Sequence, residues 1–240
     1  VNLKESGTAC WHRKFSHVYV EDGALSYPLT ESLLKRCGRA SVVSIGDYKD
    51  VFARPRQDFQ SQKRSTSLIL AVKKDQFLYA GSDQVQDFGH ENFYYNALTL
   101  NCAYNCDYCY LQGMYPSGNM VVFVNLDDYF EAACEALRSR RNPSEPLYIC
   151  ISYDTDLLAF EGVIPYCREW ILFAQQHSDV LIEIRTKSAG YGHIRDLTPC
   201  AGVVLAWTLS PDAVATRYEH GAPPLRSRLE SARQAAEDGW

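Results

Sequence analysis

No stretch of this 240-residue chain approaches the roughly 20 consecutive apolar residues needed to cross a bilayer. The opening VNLKESGTACWHRK also lacks the apolar core of a secretory signal. A cytoplasmic protein with no membrane partner is the expectation. Nor is there an excess of positive charge: the formal net charge is -5, which argues against a surface built to coat nucleic acid. Lys and Arg number 13 against 12 Asp and Glu over residues 1–120, and 11 against 17 over residues 121–240, so the acidic excess sits in the second half. Contact with a polyanion must therefore be local. No internal repeat and no low-complexity tract is visible. A disulfide framework is lacking too: of nine cysteines, Cys10, Cys37, Cys134, Cys150, Cys167 and Cys200 are scattered singly and read as reduced thiols.

What the chain does contain is ordinary globular composition and length enough to bury a real core. Residues 1–90 read as a small α/β region, with a helical pattern in LTESLLKRCGR and a strand in SLILAV. Between them runs a polar stretch from Asp47 to Ser67. Seven basic residues (Lys49, Arg54, Arg56, Lys63, Arg64, Lys73 and Lys74) face only Asp50 and Asp58 from Lys49 to Lys74. This segment reads as a solvated loop, with phosphate contact as the alternative.

From residue 91 short apolar runs alternate with helical stretches, the pattern of strand and helix units around a parallel sheet. Continuous apolar runs suit strands buried on both faces. Tyr94 to Leu100, Leu147 to Ile151, Val180 to Arg185 and Val203 to Leu209 read as core strands, with Met120 to Val124 as an extra one. Helices fit Leu126 to Arg140, Val163 to His177 and Leu225 to Asp238. Four units do not close a barrel, so residues 91–240 read as a partial (β/α) barrel. The chain stops at Trp240, after a helix and Gly239, where a further strand is expected, and so reads as a fragment or shortened relative of a longer enzyme.

The chemistry concentrates in NCAYNCDYCYLQ, which sets Cys102, Cys106 and Cys109 at C-x3-C-x2-C in a loop after a strand. Ala103, Asn105 and Asp107 make this a polar loop rather than core. Three thiolates so close call for a metal. Structural zinc takes four protein ligands from paired sites, and no second C-x2-C or H-x3-H is present. A cubic iron-sulfur cluster also needs four ligands, and a loop supplying three leaves one iron open to a substrate. The spacing resembles that of the radical S-adenosylmethionine superfamily. That resemblance implies a [4Fe-4S] cluster whose open iron chelates the amino and carboxylate groups of S-adenosylmethionine. It further implies reductive cleavage to a 5'-deoxyadenosyl radical, with Tyr108 beside the adenine.

Other stretches resemble the spore photoproduct lyase family: VYVEDGALSYPL near the start, CDYCYLQ followed by VFVNLDDYF, and RYEHGAPPLRSRLESARQAAEDG near the end. The resemblance implies a radical S-adenosylmethionine fold, an electron donor such as flavodoxin or ferredoxin, and repair of the thymine dimer 5-thyminyl-5,6-dihydrothymine in DNA. It also implies that Thr155 and Asp156 of SYDTD, Lys187 of RTK and Thr208 of WTLS hold the cofactor. Each has a bland counterpart: a turn for Thr155 and Asp156, surface for Lys187, core for Thr208. Tyr110 matches a family tyrosine that relays hydrogen. One position departs. Tyr153 falls where the family carries the cysteine that returns hydrogen to the product radical, and Cys150, an odd offset away on a strand, should face the other way. The family's DNA-gripping C-terminal segment would lie past Trp240. Two other readings follow: a radical enzyme on the same scaffold with a different substrate, and a non-catalytic iron-sulfur or zinc module binding nucleic acid through Lys49 to Lys74.

Overall fold

The apolar runs become strands, and the sheets they build decide where the cysteine loop lies. The structure, a computed structural model, describes residues 15–82 and 86–240; Cys10 lies outside the described residues. In chain order it runs β1 (His17–Glu21), α1 (Pro28–Arg36), β2 (Ser41–Ile45), α2 (Lys49–Phe52), α3 (Phe59–Arg64), β3 (Leu68–Ala71), β4 (Tyr79–Ala80), β5 (Phe93–Tyr95), β6 (Thr99–Leu100), β7 (Asn105–Cys106), α4 (Leu111–Met114) and β8 (Met120–Phe123). It continues with α5 (Leu126–Ser139), β9 (Leu147–Cys150), α6 (Tyr166–Gln176), β10 (Val180–Thr186), β11 (Val203–Trp207), α7 (Asp212–Tyr218), β12 (Glu219–His220) and α8 (Leu225–Glu237).

Two five-stranded sheets result, in the orders β2-β1-β3-β8-β6 and β11-β10-β9-β5-β4. All pairings are parallel except the edge strands β6 and β4. The fold is thus α/β with parallel sheets in an open arrangement, not a closed barrel. Strands β3, β8 and β9 are buried at every residue, as expected for parallel strands covered on both faces. The first sheet takes strands from both sides of residue 90, because β8 lies in register with β3, Leu68 opposite Met120.

The run from Tyr94 to Leu100 is not one strand. Asn96 N–H still donates to Cys150 O (3.3 Å), but at Leu98 the carbonyl accepts from Phe123 N–H (3.1 Å). The backbone changes partner between the two, so β5 joins the second sheet and β6 the first. Residues 47–67 are not a plain loop either, since they fold into α2 and α3. Asp58 caps α3 by accepting from Ser61 N–H at 2.9 Å.

The helices cover these sheets through apolar faces. In α5, Asp127 and Asp128 open the first turn and Arg138 closes the last, complementing the helix dipole, while Tyr129 and Ala133 face inward one turn apart. Helix α6 starts at Tyr166, later than its apolar pattern suggests. Pro165 precedes it, and the buried Glu161 carboxylate accepts from the N–H groups of Cys167 and Arg168, both at 2.8 Å. Trp170 of α6 is fully buried, edge-on to Phe130 with ring centroids 5.0 Å apart. Among the described residues no helix is long and apolar enough to cross a membrane.

Candidate active site

The chain leaves β6 through Asn101, whose φ of 70° places it in the left-handed region that asparagine tolerates. Its amide donates to Ser117 O and Asn119 O, both at 2.6 Å, which fixes the turn into the cysteine loop. Cys106 lies in β7, paired antiparallel with Glu219 of β12. Gln112 Nε2 donates to Cys106 O (2.6 Å), Cys109 N–H to Cys106 O (3.0 Å), and Tyr104 N–H approaches Cys102 Sγ at 3.5 Å. The EHG tripeptide therefore latches the loop through β12, aided by His220 Nε2 at 3.0 Å from Asp107.

Among the described residues no three His, Cys, Asp or Glu side chains form a ready-made metal site. The loop nevertheless gathers the thiols: Cys102 and Cys106 lie within electrostatic reach of each other, as do Cys106 and Cys109. Burial pushes the Cys102 thiol up to about 12 and that of Cys106 up to about 11, so a bound metal must displace protons from both.

A cavity of about 240 Å³ opens beside the loop. Cys102, Cys106, Tyr110, Tyr153, Thr155, Asp156, Lys187 and Thr208 all line it, with Arg185 and Ser152. Eight of the ten side chains expected from sequence thus line one cavity; Cys109 and Tyr108 are not among its lining residues. The cavity sits past the ends of β9, β10 and β11, where ligands of parallel α/β folds bind. Its lining suits a zwitterionic cofactor: Thr155 Oγ1 is shielded from solvent yet has no protein partner, and Lys187 brings an ammonium with 18% of its side chain exposed.

Asp156 is committed internally. Oδ1 accepts from Thr186 Oγ1 (2.7 Å) and Ala159 N–H (3.1 Å), and Oδ2 accepts from Lys187 N–H (2.6 Å). Its burial raises the carboxyl above the usual range. It fixes the backbone that carries Lys187. The Lys187 ammonium stands 3.8 Å from Glu219 and 5.4 Å from the Tyr108 ring centroid. Burial opposes its charge, but Cys106, Tyr108 and Glu219 outweigh that and raise its pKa.

Glu219, named from sequence only within its EHG tripeptide, joins the site through its contacts. Its side chain is wholly buried and receives Ser210 Oγ (2.8 Å) and Tyr108 OH. It pairs with the equally buried Arg228 of α8 at 2.6 Å. Arg228 also donates to Pro223 O (2.8 Å) and Thr208 O (3.4 Å). One ion pair thereby ties together Tyr108, Lys187 and Thr208.

Tyr153 stacks on Tyr95 with centroids 4.4 Å apart, and Tyr110 lies 6.5 Å from it on another side. The Tyr110 hydroxyl is 2.9 Å from Tyr153 O and 3.1 Å from Asp154 Oδ1, while Tyr115 OH donates to Asp154 Oδ2 at 3.2 Å. Asp154, not singled out from sequence, is a buried carboxylate serving two phenols. The strand-parity argument about Cys150 does not reach Tyr153. Strand β9 stops at Cys150, and Tyr153, in the turn beyond, packs against the small cluster of Phe93, Tyr148 and Cys150. Cys150 itself is fully buried and its thiol is pushed up to about 12 by that burial.

Comparison with known proteins places the chain in a family. Residues 14–240 match the sequence family described as spore photoproduct lyase. A curated spore photoproduct lyase from Geobacillus sp. (strain Y412MC61) is 22% identical over 228 residues, covering 93% of this chain and 64% of its own. The chain therefore spans under two thirds of the curated relatives it matches. A mutant spore photoproduct lyase solved with dinucleoside spore photoproduct aligns at TM-score 0.79 and 23% identity, covering 94% of this chain and 65% of that one. Another, with bound AdoMet and dinucleoside spore photoproduct, aligns at 0.77 and 22% over the same shares. With the family match spanning the cysteine loop, the cavity and the latch that closes over them, the chain belongs to the spore photoproduct lyase family.

Proposed function

We propose that the protein is a cytoplasmic radical enzyme that holds a [4Fe-4S] cluster on Cys102, Cys106 and Cys109, binds S-adenosylmethionine and repairs 5-thyminyl-5,6-dihydrothymine in DNA. One observation carries this reading: the cysteine loop, Thr155, Lys187 and Thr208 converge on a single cavity at the strand ends. Bound there, cluster and cofactor supply a hydrogen-abstracting adenosyl radical, with flavodoxin or ferredoxin as electron source. The chain's own groups bind and orient. Lys187 would pair with the carboxylate of the methionyl end, Thr155 Oγ1 would gain its missing hydrogen bond, and Tyr108 would serve the adenine. Asp156 holds the Lys187 backbone rather than moving protons. Tyr153 and Tyr110 present phenolic O–H groups as hydrogen donors to a product radical, in place of the family thiol.

A second reading, a different substrate on the same scaffold, is favoured by Tyr153 itself. A phenol reaches farther into the cavity than a thiol, and Cys150 is buried out of reach. The test is anaerobic reconstitution with iron and sulfide, then dithionite and S-adenosylmethionine. Formation of 5'-deoxyadenosine, lost in Cys102→Ala, Cys106→Ala and Cys109→Ala, is expected; full iron content and activity in any of these would overturn the cluster assignment. Thymine release from dinucleoside spore photoproduct separates the first substrate reading from the second.

A further inference from the structure

Lys63, one of the seven basic residues from Lys49 to Lys74, points at the cysteine loop. Lys63 Nζ donates to Cys102 O at 2.6 Å and approaches Tyr104 O at 3.3 Å. The helix that carries it, α3, is docked against the same loop by side chains. Asn105 Nδ2 donates to Gln60 Oε1 (3.0 Å), Gln60 Nε2 to Gln112 Oε1 (2.9 Å), and Gly118 N–H to Gln62 Oε1 (2.7 Å). The packing is close: a Cβ on Gly118 would stand 2.5 Å from Phe59 O. Cys102, Cys109 and Cys106 all lie within electrostatic reach of the Lys63 side-chain nitrogen, whose pKa burial lowers.

We propose that Lys63 is the counter-ion of the cluster loop: a positioning residue whose ammonium clamps the backbone around Cys102 and stabilises the negative charge that three metal-bound thiolates create. A cation held there stabilises a thiolate set more as its net charge becomes more negative, so it favours the reduced form. The function of this basic residue is intramolecular, and phosphate contact is not needed to explain it.

The inference rests on the cluster reading above, and its test separates the two. Reconstituted Lys63→Gln and Lys63→Arg are titrated with dithionite while the cluster is followed by visible absorbance and electron paramagnetic resonance. Lys63→Gln should have a more negative reduction potential, and Lys63→Arg one close to the unmutated chain. An unmoved potential in iron-replete Lys63→Gln would overturn the proposal. If Lys63→Gln does not retain iron, zinc binding by the apoprotein is measured against a chromophoric chelator. Affinity about ten-fold or more weaker, restored in Lys63→Arg, is expected for lost outer-shell support; equal affinity would overturn it. An unmutated chain that takes up neither iron nor zinc on the three cysteines would overturn the cluster reading and the role of Lys63 together.

Discussion

The buried pair of Glu219 and Arg228 gives the most quantitative expectation. Both side chains are at most 1% exposed and their charged atoms are 2.6 Å apart. Glu219→Gln keeps an oxygen for Tyr108 and Ser210 but leaves the Arg228 guanidinium without its anion. Removing one partner of such a pair costs about 3–5 kcal/mol, because the other charge stays buried. For a chain of this length each kcal/mol is worth about 2–4 °C, so melting should fall by roughly 6–20 °C. Arg228→Met should cost a similar amount. The double variant Glu219→Gln/Arg228→Met leaves only the partly exposed Lys187 without its carboxylate and should recover much of the loss, a coupling of ~2 kcal/mol or more. Urea midpoints and thermal circular dichroism on the four proteins complete the cycle. Single variants within about 1 kcal/mol of the parent, as exposed pairs give, or a double variant equal to the sum of the singles, would refute the reasoning.

Lys187→Met should weaken S-adenosylmethionine binding about 10–100-fold, the equivalent of one charge-assisted contact of ~1.5–3 kcal/mol, with iron content unchanged; Asp156→Asn should weaken it less, since it acts on Lys187 through the backbone. Unaltered affinity by calorimetry in both would return these residues to a structural role. Tyr153→Phe should leave 5'-deoxyadenosine formation intact while diverting lesion products, and Tyr153→Cys should create or improve thymine return; clean repair at the parent rate by Tyr153→Phe would point to another hydrogen donor. Glu161, raised by burial from 4.5 to about 7, binds its proton more tightly folded than unfolded. Its contribution is therefore full below pH 4.5 and lost as pH rises through 7, an upper limit of about 3 kcal/mol. The difference in urea midpoint between the parent and Glu161→Gln should follow that window, and a difference independent of pH from 5 to 8 would contradict it.

Much of the fold was legible because buried parallel strands are continuous apolar runs, and β3, β8 and β9 stand out as such. The break between β5 and β6 was not. Both lie in one unbroken pattern, and only the hydrogen-bond partners on either side of Ala97 separate them. The cysteine loop, Lys187, Thr155 and Thr208 could be named from motif and resemblance. Asp154 could not, because SYDTD offers three adjacent polar side chains and only the turn after β9 decides which one meets Tyr110. Glu219 escaped for a different reason: its partners sit at positions 108, 187, 210 and 228, and no local pattern records a charge cluster assembled from four segments. Lys63 was hidden by its company, since a basic run looks solvated until one member turns inward.

The latch between β7 and β12 also sets a clock on the ribosome. Asp107 and His220, which help close it, are 113 positions apart. At about 5–20 residues per second the cysteine loop is made roughly 6–23 s before the strand that pairs with it. During that interval Cys106 has no β-partner: Lys187 is absent for most of it, and Glu219 for all of it. On the proposed cluster assignment, a cluster delivered then would meet an unfinished cradle, and loading would wait until residue 220 has emerged and paired.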